Sequence, residues 1–298
     1  MDLANLTCID LNMPTEPGFQ KFMSAWLYAD GQMTFLVDPG PLSTLPQLLQ
    51  GLRDCQVETL DYILLTHIHI DHAGATGAVL EHFPGARVVC HPDGVAHLVN
   101  PGKLWAGSRK VLGRLADAYG EILAVPEQQI GFAEEIGSPR LRALLTPGHA
   151  PHHCCYLFED LLFAGEVAGV RCEVEKGIYM RPATPPKFIL EVALDSIERM
   201  IALSPGRMVF AHYGLVDSAV EHLQTGRDQL GLWVEGVKRL LTVDPHQREP
   251  AFFQWLVEND AVFGNIRQLP PDIYQRETVF LRNTWQGMLD YVTKGTLA

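Results

Sequence analysis

Three histidines and an aspartate fall within six residues in the segment Thr66-His67-Ile68-His69-Ile70-Asp71-His72. Imidazole suits zinc, iron or nickel, and a carboxylate adds hardness and negative charge, so this density of ligand types points to metal-ion chemistry. In an extended strand end, residues two apart share a side, which puts His67 and His69 together. Asp71 and His72 continue around the turn, so one such loop can serve two neighbouring ions. Gly74 and Gly77 let the backbone turn tightly behind the ligands. Two ions about 3.5 to 4 Å apart share a water, bring its pKa near neutral and polarise a scissile carbonyl. No serine or cysteine nucleophile is then required, in keeping with a chain that lacks Gly-x-Ser-x-Gly.

The elements that must position this loop follow from apolar patterning. Leu60 to Leu65 is a short apolar run with the length of a buried strand, and it ends directly at the histidine cluster. Ala25 to Leu36 predicts a hairpin around Asp30-Gly31, closed by Val37-Asp38-Pro39-Gly40. A helix is expected over Leu45–Leu52, another over Ala78–Phe83 stopped by Pro84-Gly85, and a strand over Ala86–Cys90. Lys103 to Tyr119 has helical spacing, with Leu104, Val111, Leu112, Leu115 and Tyr119 as its apolar stripe. The pattern then repeats. Strands are expected over Arg140–Leu145, ending at Thr146-Pro147-Gly148-His149, over Cys154–Phe158, and over Leu161–Ala164, running into Gly165-Glu166. Two successive sets of strand and histidine loop suggest two similar halves facing one another. Lys187 to Leu203 predicts a helix after Pro185-Pro186, and Met208–Ala211 a last strand ending at His212. Beyond it lie three helical patterns, Ser218–Val243, Pro250–Phe263 and Glu277–Val292, with no strand signal.

A chain of 298 residues, 47% apolar, can bury one large core or one core with an appendage. With 35 acidic against 23 basic residues, the net charge of -12 repels a phosphate backbone, so nucleic acid is not expected as a partner. No stretch of about 18 uncharged apolar residues occurs, so no membrane span is expected. Met1 to Met13 has no basic cluster and no continuous apolar run, and a cytoplasmic location is the default expectation. Six cysteines, Cys8, Cys55, Cys90, Cys154, Cys155 and Cys172, form no Cys-x-x-Cys pair and are expected to be reduced.

His67-Ile68-His69-Ile70-Asp71-His72-Ala73-Gly74 resembles the signature of the metallo-β-lactamase superfamily, and other landmarks follow in order between about residues 20 and 215. Asp38-Pro39-Gly40 is similar to the early strand-turn, Thr146-Pro147-Gly148-His149 to the third-histidine loop, Leu162-Phe163-Ala164-Gly165-Glu166 to the bridging-acid strand, and Ala211-His212-Tyr213-Gly214 to the closing-histidine segment. The resemblance implies an α+β fold, an αββα four-layer sandwich over residues 1–215, with a helical C-terminal extension over 216–298. It implies that His67, His69 and His149 hold a first metal and that Asp71, His72 and His212 hold a second. Asp71 would also orient the attacking hydroxide. Glu166 stands where the family usually has aspartate, the acid that bridges both ions. It is longer by one methylene, about 1.5 Å of reach, which leaves open a bridge, a single-ion ligand or another direction.

Only 45 residues separate Glu166 from His212, leaving no room for the extra domain of RNA-processing nucleases. Diiron-flavin oxygen reductases need a flavodoxin-like domain after the core and a glutamate where His69 stands, so that branch is not expected. What remains resembles the glyoxalase II-like branch, which implies a metallo-hydrolase acting on a thioester, lactone or similar small ester, with two divalent ions, zinc or iron, or manganese. The tail resembles that of alkylquinolone-pathway thioesterases in length and placement. By that analogy Trp105, Tyr179, Tyr213, Trp233, Phe252, Phe253 and Trp285 line an apolar acyl pocket; the alternative is that such aromatics pack a core. His152 and His153 have no motif position and are expected beside the ligands or at the surface. His82, His91, His97, His222 and His246 are expected bystanders. Two other functions stay open: a mononuclear iron enzyme of the persulfide dioxygenase type, and a non-catalytic binding protein that keeps the fold. A small molecule is the expected partner, and a homodimer is left open.

Overall fold

The computed structural model describes residues 2–185 and 187–295. They divide into two compact units, one made of residues 2–15, 19–145 and 152–165, the other of 16–18, 146–151 and 166–295 without residue 186. Pro186, half of the expected helix-opening pair, lies outside the described residues.

The first unit opens with β1 (Leu6–Asp10), β2 (Ser24–Ala29) and β3 (Thr34–Val37), followed by α1 (Leu45–Asp54), β4 (Tyr62–Leu64), α2 (Ile70–Ala73), α3 (Thr76–His82) and β5 (Arg87–Val89). Next come α4 (Pro92–Val99), α5 (Gly102–Leu112), α6 (Arg114–Tyr119) and β6 (Ile130–Gly131). These six strands lie in chain order in one sheet, antiparallel from β1 to β3 and parallel from β3 to β6. A parallel neighbour demands a crossover, which is why helices fill every connection after β3. The β2–β3 hairpin forms where expected, because Asp30 Oδ1 accepts from the backbone N–H groups of Gln32 and Met33 at 2.9 Å.

An antiparallel meander completes this unit: β7 (Glu135–Ile136), β8 (Ser138–Leu145), β9 (Cys154–Phe158) and β10 (Leu161–Phe163). Its inner face meets the first sheet through aromatic rings, with Phe158 4.6 Å from Tyr28 and 5.4 Å from Phe35 between centroids. The buried Tyr156 hydroxyl lies 2.9 and 2.8 Å from the carbonyls of Leu65 and Val89. One β9 side chain thereby fastens the carboxyl ends of β4 and β5, where the histidine loop begins.

The helix expected over Lys103–Tyr119 is two helices. Gly113 takes φ +56 between α5 and α6, a conformation that breaks helical hydrogen bonding. Val111, expected in the apolar stripe, is 60% exposed, and α5 buries no residue fully. Among the elements without a clear sequence signal are β1, partly exposed at the sheet edge; α4, capped by His91 Nδ1 accepting from Asp93 N at 3.1 Å; and a hairpin in the second unit.

That hairpin, β11 (Val170–Val174) and β12 (Gly177–Arg181), precedes α7 (Leu190–Ala202), β13 (Arg207–Val209) and β14 (Leu215–Val216). The three expected tail helices follow as α8 (Ala219–Leu240), α9 (Arg248–Asn259) and α10 (Pro271–Lys294). They enclose a core of Trp233, Phe252, Leu256, Phe263, Ile266 and Met288. The Trp233 indole N–H donates to Asp260 Oδ2 at 2.8 Å, so its one polar atom is satisfied inside that core.

Candidate metal centre

In the first unit, Leu65 N donates to the Val89 carbonyl at 2.9 Å as β4 ends, and the next residues leave the sheet. His67 to His69 form an extended loop, and α2 begins with the N–H groups of His72 and Ala73 donating to the His69 carbonyl at 3.0 and 2.8 Å. That single turn swings Asp71 and His72 back over the loop. Gly74 is needed behind it, since a Cβ there would collide with the Ile70 carbonyl and come within 3.1 Å of Pro41 Cα. The rings of His67 and His69 lie 4.6 Å apart between centroids, those of His67 and His72 4.2 Å, and His72 Nε2 is 3.6 Å from Asp71 Oδ2. His67 and His72 are buried; His69 and Asp71 are partly exposed.

A polar frame orients these rings. Asp38, at the end of β3, accepts from Thr66 N at Oδ1 (2.8 Å) and from the Thr66 hydroxyl at Oδ2 (2.7 Å). Its Oδ2 also lies 3.3 Å from His72 Nδ1. With its proton given to Asp38, Thr66 Oγ1 is left to accept from His67 Nδ1 at 3.0 Å. His153, fully buried, stacks at 5.6 Å from His67, and His152 meets His69 edge-on at 5.6 Å. Neither follows from the surface alternative: both stand beside the ligand loop.

The second unit gathers His149, Glu166 and His212. The Thr146–His149 loop lies on α7, where the Ser196 hydroxyl donates to the Pro147 carbonyl at 2.6 Å and Gly148 leaves no room for a side chain over Ala193. His149 Nδ1 donates to the Ala183 carbonyl at 2.9 Å. Its Nε2 lies 3.0 Å from Glu166 Oε2, while Glu166 Oε1 lies 3.2 Å from His212 Nε2. Burial alone would raise the Glu166 pKa, but the charges of His149 and His212 and their hydrogen bonds hold it well below the usual carboxylate range. Glu166 is therefore an anion with one oxygen for each imidazole. His212 sits in the tight turn between β13 and β14, where Tyr213 is held at φ +127, a value rarely taken by a residue with a side chain.

All seven residues expected as ligands are thus found in two gatherings, His67, His69, Asp71 and His72 in one unit and His149, Glu166 and His212 in the other. His and carboxylate side chains of this kind suit divalent ions. Each of His67, His72 and His149 directs Nδ1 to an oxygen, which makes Nε2 the atom each could offer a metal, the usual arrangement of metal-binding histidines. Sequence reasoning missed the orienting roles of Asp38, Thr66 and the Ala183 carbonyl. Asp38 was visible as a landmark, but nothing near it in the chain names its partners.

The family profile described as the metallo-beta-lactamase superfamily matches residues 21–212. The chain belongs to the metallo-β-lactamase superfamily. Its fold is the metallo-β-lactamase fold with C-terminal helices, as the resemblance implied. Within this superfamily it is 31% identical over 217 residues to the metallo-beta-lactamase fold-containing protein ST1585 of Sulfurisphaera tokodaii, covering 69% of this chain and 79% of that one. The solved structure of ST1585 aligns with a TM-score of 0.66 at 25% identity, covering 98% of this chain and 99% of its own. The hydroxyacylglutathione hydrolase of Salmonella typhi is 26% identical over 160 residues, 52% of this chain and 51% of that protein. Thioesterase pkgB of Emericella nidulans is 28% identical over 168 residues, 53% of this chain and 40% of that protein. The chain thus spans about half or less of these two metallo-β-lactamase relatives.

The aromatics expected to line an acyl pocket divide. Tyr179, Trp233 and Phe252 are fully buried core residues, whereas Trp105, Tyr213 and Phe253 are partly exposed. Phe252, Phe253, Tyr274, Leu281 and Trp285 together line a half-open cavity of about 340 Å³ among the tail helices.

Proposed function

We propose that this protein is a metallo-hydrolase that cleaves thioesters, lactones or similar small esters with two divalent ions, zinc or iron. Glu166 carries this reading. A buried carboxylate with one oxygen on His149 and the other on His212 is built to lie between two cations, which is the task the superfamily gives this position. Its extra methylene, relative to the usual aspartate, does not prevent it from reaching both histidines.

In this reading His67, His69 and His149 hold one ion and Asp71, His72 and His212 the other. Ions held there would supply a water acidic enough to give hydroxide near neutral pH, and polarisation of the ester carbonyl. The protein's own part is orientation. Asp38 and Thr66 set the ring angles of His72 and His67, and the Ala183 carbonyl sets that of His149. Asp71, partly exposed and 3.6 Å from His72 Nε2, would accept a hydrogen bond from the attacking water and aim it. Two relatives whose names specify a thioesterase and a hydroxyacylglutathione hydrolase support the thioester and ester class.

The test is a screen of purified protein against thioesters, lactones and phosphodiesters, with zinc, iron or manganese added back after chelation. Thioester or lactone turnover that chelator abolishes is expected, with no oxygen consumed. Replacing His69 with alanine should lower it at least about 100-fold. Chelator-resistant turnover, or an active His69→Ala variant, defeats the proposal.

A further inference from the structure

The segment Met180–Pro185 carries no ligand, yet both His149 and Glu166 rest on it. His149 Nδ1 donates to the Ala183 carbonyl at 2.9 Å. Glu166 begins a turn closed by Gly169 N donating to the Glu166 carbonyl at 3.0 Å, and Gly169 is pressed so closely on the Arg181 carbonyl that any Cβ would collide with it. Pairing of Val170 with Arg181 in the hairpin holds this contact in register.

What fixes the segment in turn is the C-terminal helix. Arg181 Nε is ion-paired with Glu277 of α10, and both side chains are buried. Glu277 also accepts from the Tyr179 hydroxyl at 3.0 Å and pairs with Arg276 at 2.8 Å. Farther along α10, the Thr284 hydroxyl lies 3.4 Å from the Pro182 carbonyl, and Gly287 lies so close to the Pro185 carbonyl that a side chain there would strike it. From α8, Gln229 Nε2 donates to the Met180 carbonyl at 2.9 Å. Pro182 has a fixed φ, so a shift at Arg181 passes to Ala183 with little local bending to absorb it.

We propose that Glu277 is a positioning residue for the ligands His149 and Glu166, acting through Arg181 and the Ala183 carbonyl, so that α10 sets metal-site geometry as well as closing a core. This inference rests on the reading of His149 and Glu166 as metal ligands. Removing the Glu277 charge leaves two buried guanidinium groups without their shared anion, and the segment after β12 that bears the Ala183 carbonyl must move to separate or hydrate them. Groups that orient a ligand from behind are typically worth about 10–100-fold in metal affinity.

The experiment is competitive zinc titration of the full-length protein against a chromophoric chelator, for wild type, Glu277→Asp, Glu277→Gln and Gly287→Ala. Leu256→Ala, a core truncation in α9, is the comparator for plain destabilisation. Zinc affinity should fall about 10-fold or more in Glu277→Gln and in Gly287→Ala, and partly recover in Glu277→Asp. Leu256→Ala should melt at lower temperature yet bind zinc as wild type does while folded. Nitrogen chemical shifts of the His149 ring in metal-free protein add a second readout, expected to move in Glu277→Gln but not in Leu256→Ala.

Folded Glu277→Gln and Gly287→Ala proteins with wild-type zinc affinity overturn the inference, as does an equal loss in Leu256→Ala. Should Glu277→Gln fail to fold, Gly287→Ala and Glu277→Asp decide. A wild-type protein that binds no zinc or iron sinks the metal-centre reading instead, and the His149 ring shifts then judge the positioning role alone.

Discussion

Asp38 Oδ2 stands 3.3 Å from His72 Nδ1, joining the end of β3 to the turn that carries Asp71 and His72, although 34 positions separate the two residues. The same carboxylate takes two hydrogen bonds from Thr66, so one acid sets both His72 and, through the threonine hydroxyl, His67. Asp38→Ala should weaken zinc binding about 10–100-fold in a competition titration. Asp38→Asn should fall between, because asparagine tolerates the φ of +49 but brings no charge. Wild-type affinity in the alanine variant would remove Asp38 from the orienting frame.

Gly165 precedes Glu166 at φ +55, and a Cβ there would run into His153 Nε2 and lie 2.9 Å from Thr66 Cβ. Backbone strain and overpacking of this kind cost about 1–3 kcal/mol each. Gly165→Ala should therefore lower the urea midpoint and, by pushing His153 toward His67, weaken zinc binding. An unchanged midpoint would show that His153 moves aside freely.

The acid limb of stability should carry the mark of Glu277. Burial would raise its pKa, but Arg181 and Arg276 outweigh this and bring it from its ordinary 4.5 down to about 2. The unfolded chain takes up the proton near 4.5 and the folded chain only near 2, so the contribution is complete above about pH 4.5 and is lost as pH falls toward 2. Over that window the stability difference between wild type and Glu277→Gln should shrink with a slope of at most about 1.4 kcal/mol per pH unit. Parallel curves for the two proteins between pH 5 and 2.5 would contradict it.

Trp233 is fully buried with its N–H given to Asp260, so it is a core residue of the tail and not a wall of a substrate pocket. Trp233→Ala should cost about 3–5 kcal/mol in denaturant unfolding. Phe253→Ala, in the half-open cavity, should cost less. The opposite ranking would place the tryptophan outside the core.

Much of this protein was written locally. The histidine loop after a buried run, the Asp30-Gly31 hairpin and the three tail helices each depend on spacing within a dozen or two residues, which strand and helix periodicity expose directly. His149, Glu166 and His212 were legible as ligand types through motifs, but that the two Glu166 oxygens divide between two imidazoles was decided by tertiary structure. The same holds for Asp38 with Thr66, brought together by parallel pairing of β3 and β4, and for Glu277 with Arg181, 96 positions apart. Aromatic residues in the tail showed helical faces without showing which faces were covered, and Val111 lies open although its spacing put it in an apolar stripe. Periodicity and ligand chemistry are properties of neighbouring residues. Burial and hydrogen-bond partnership depend on what distant segments bring to the same place, and only the folded chain holds that.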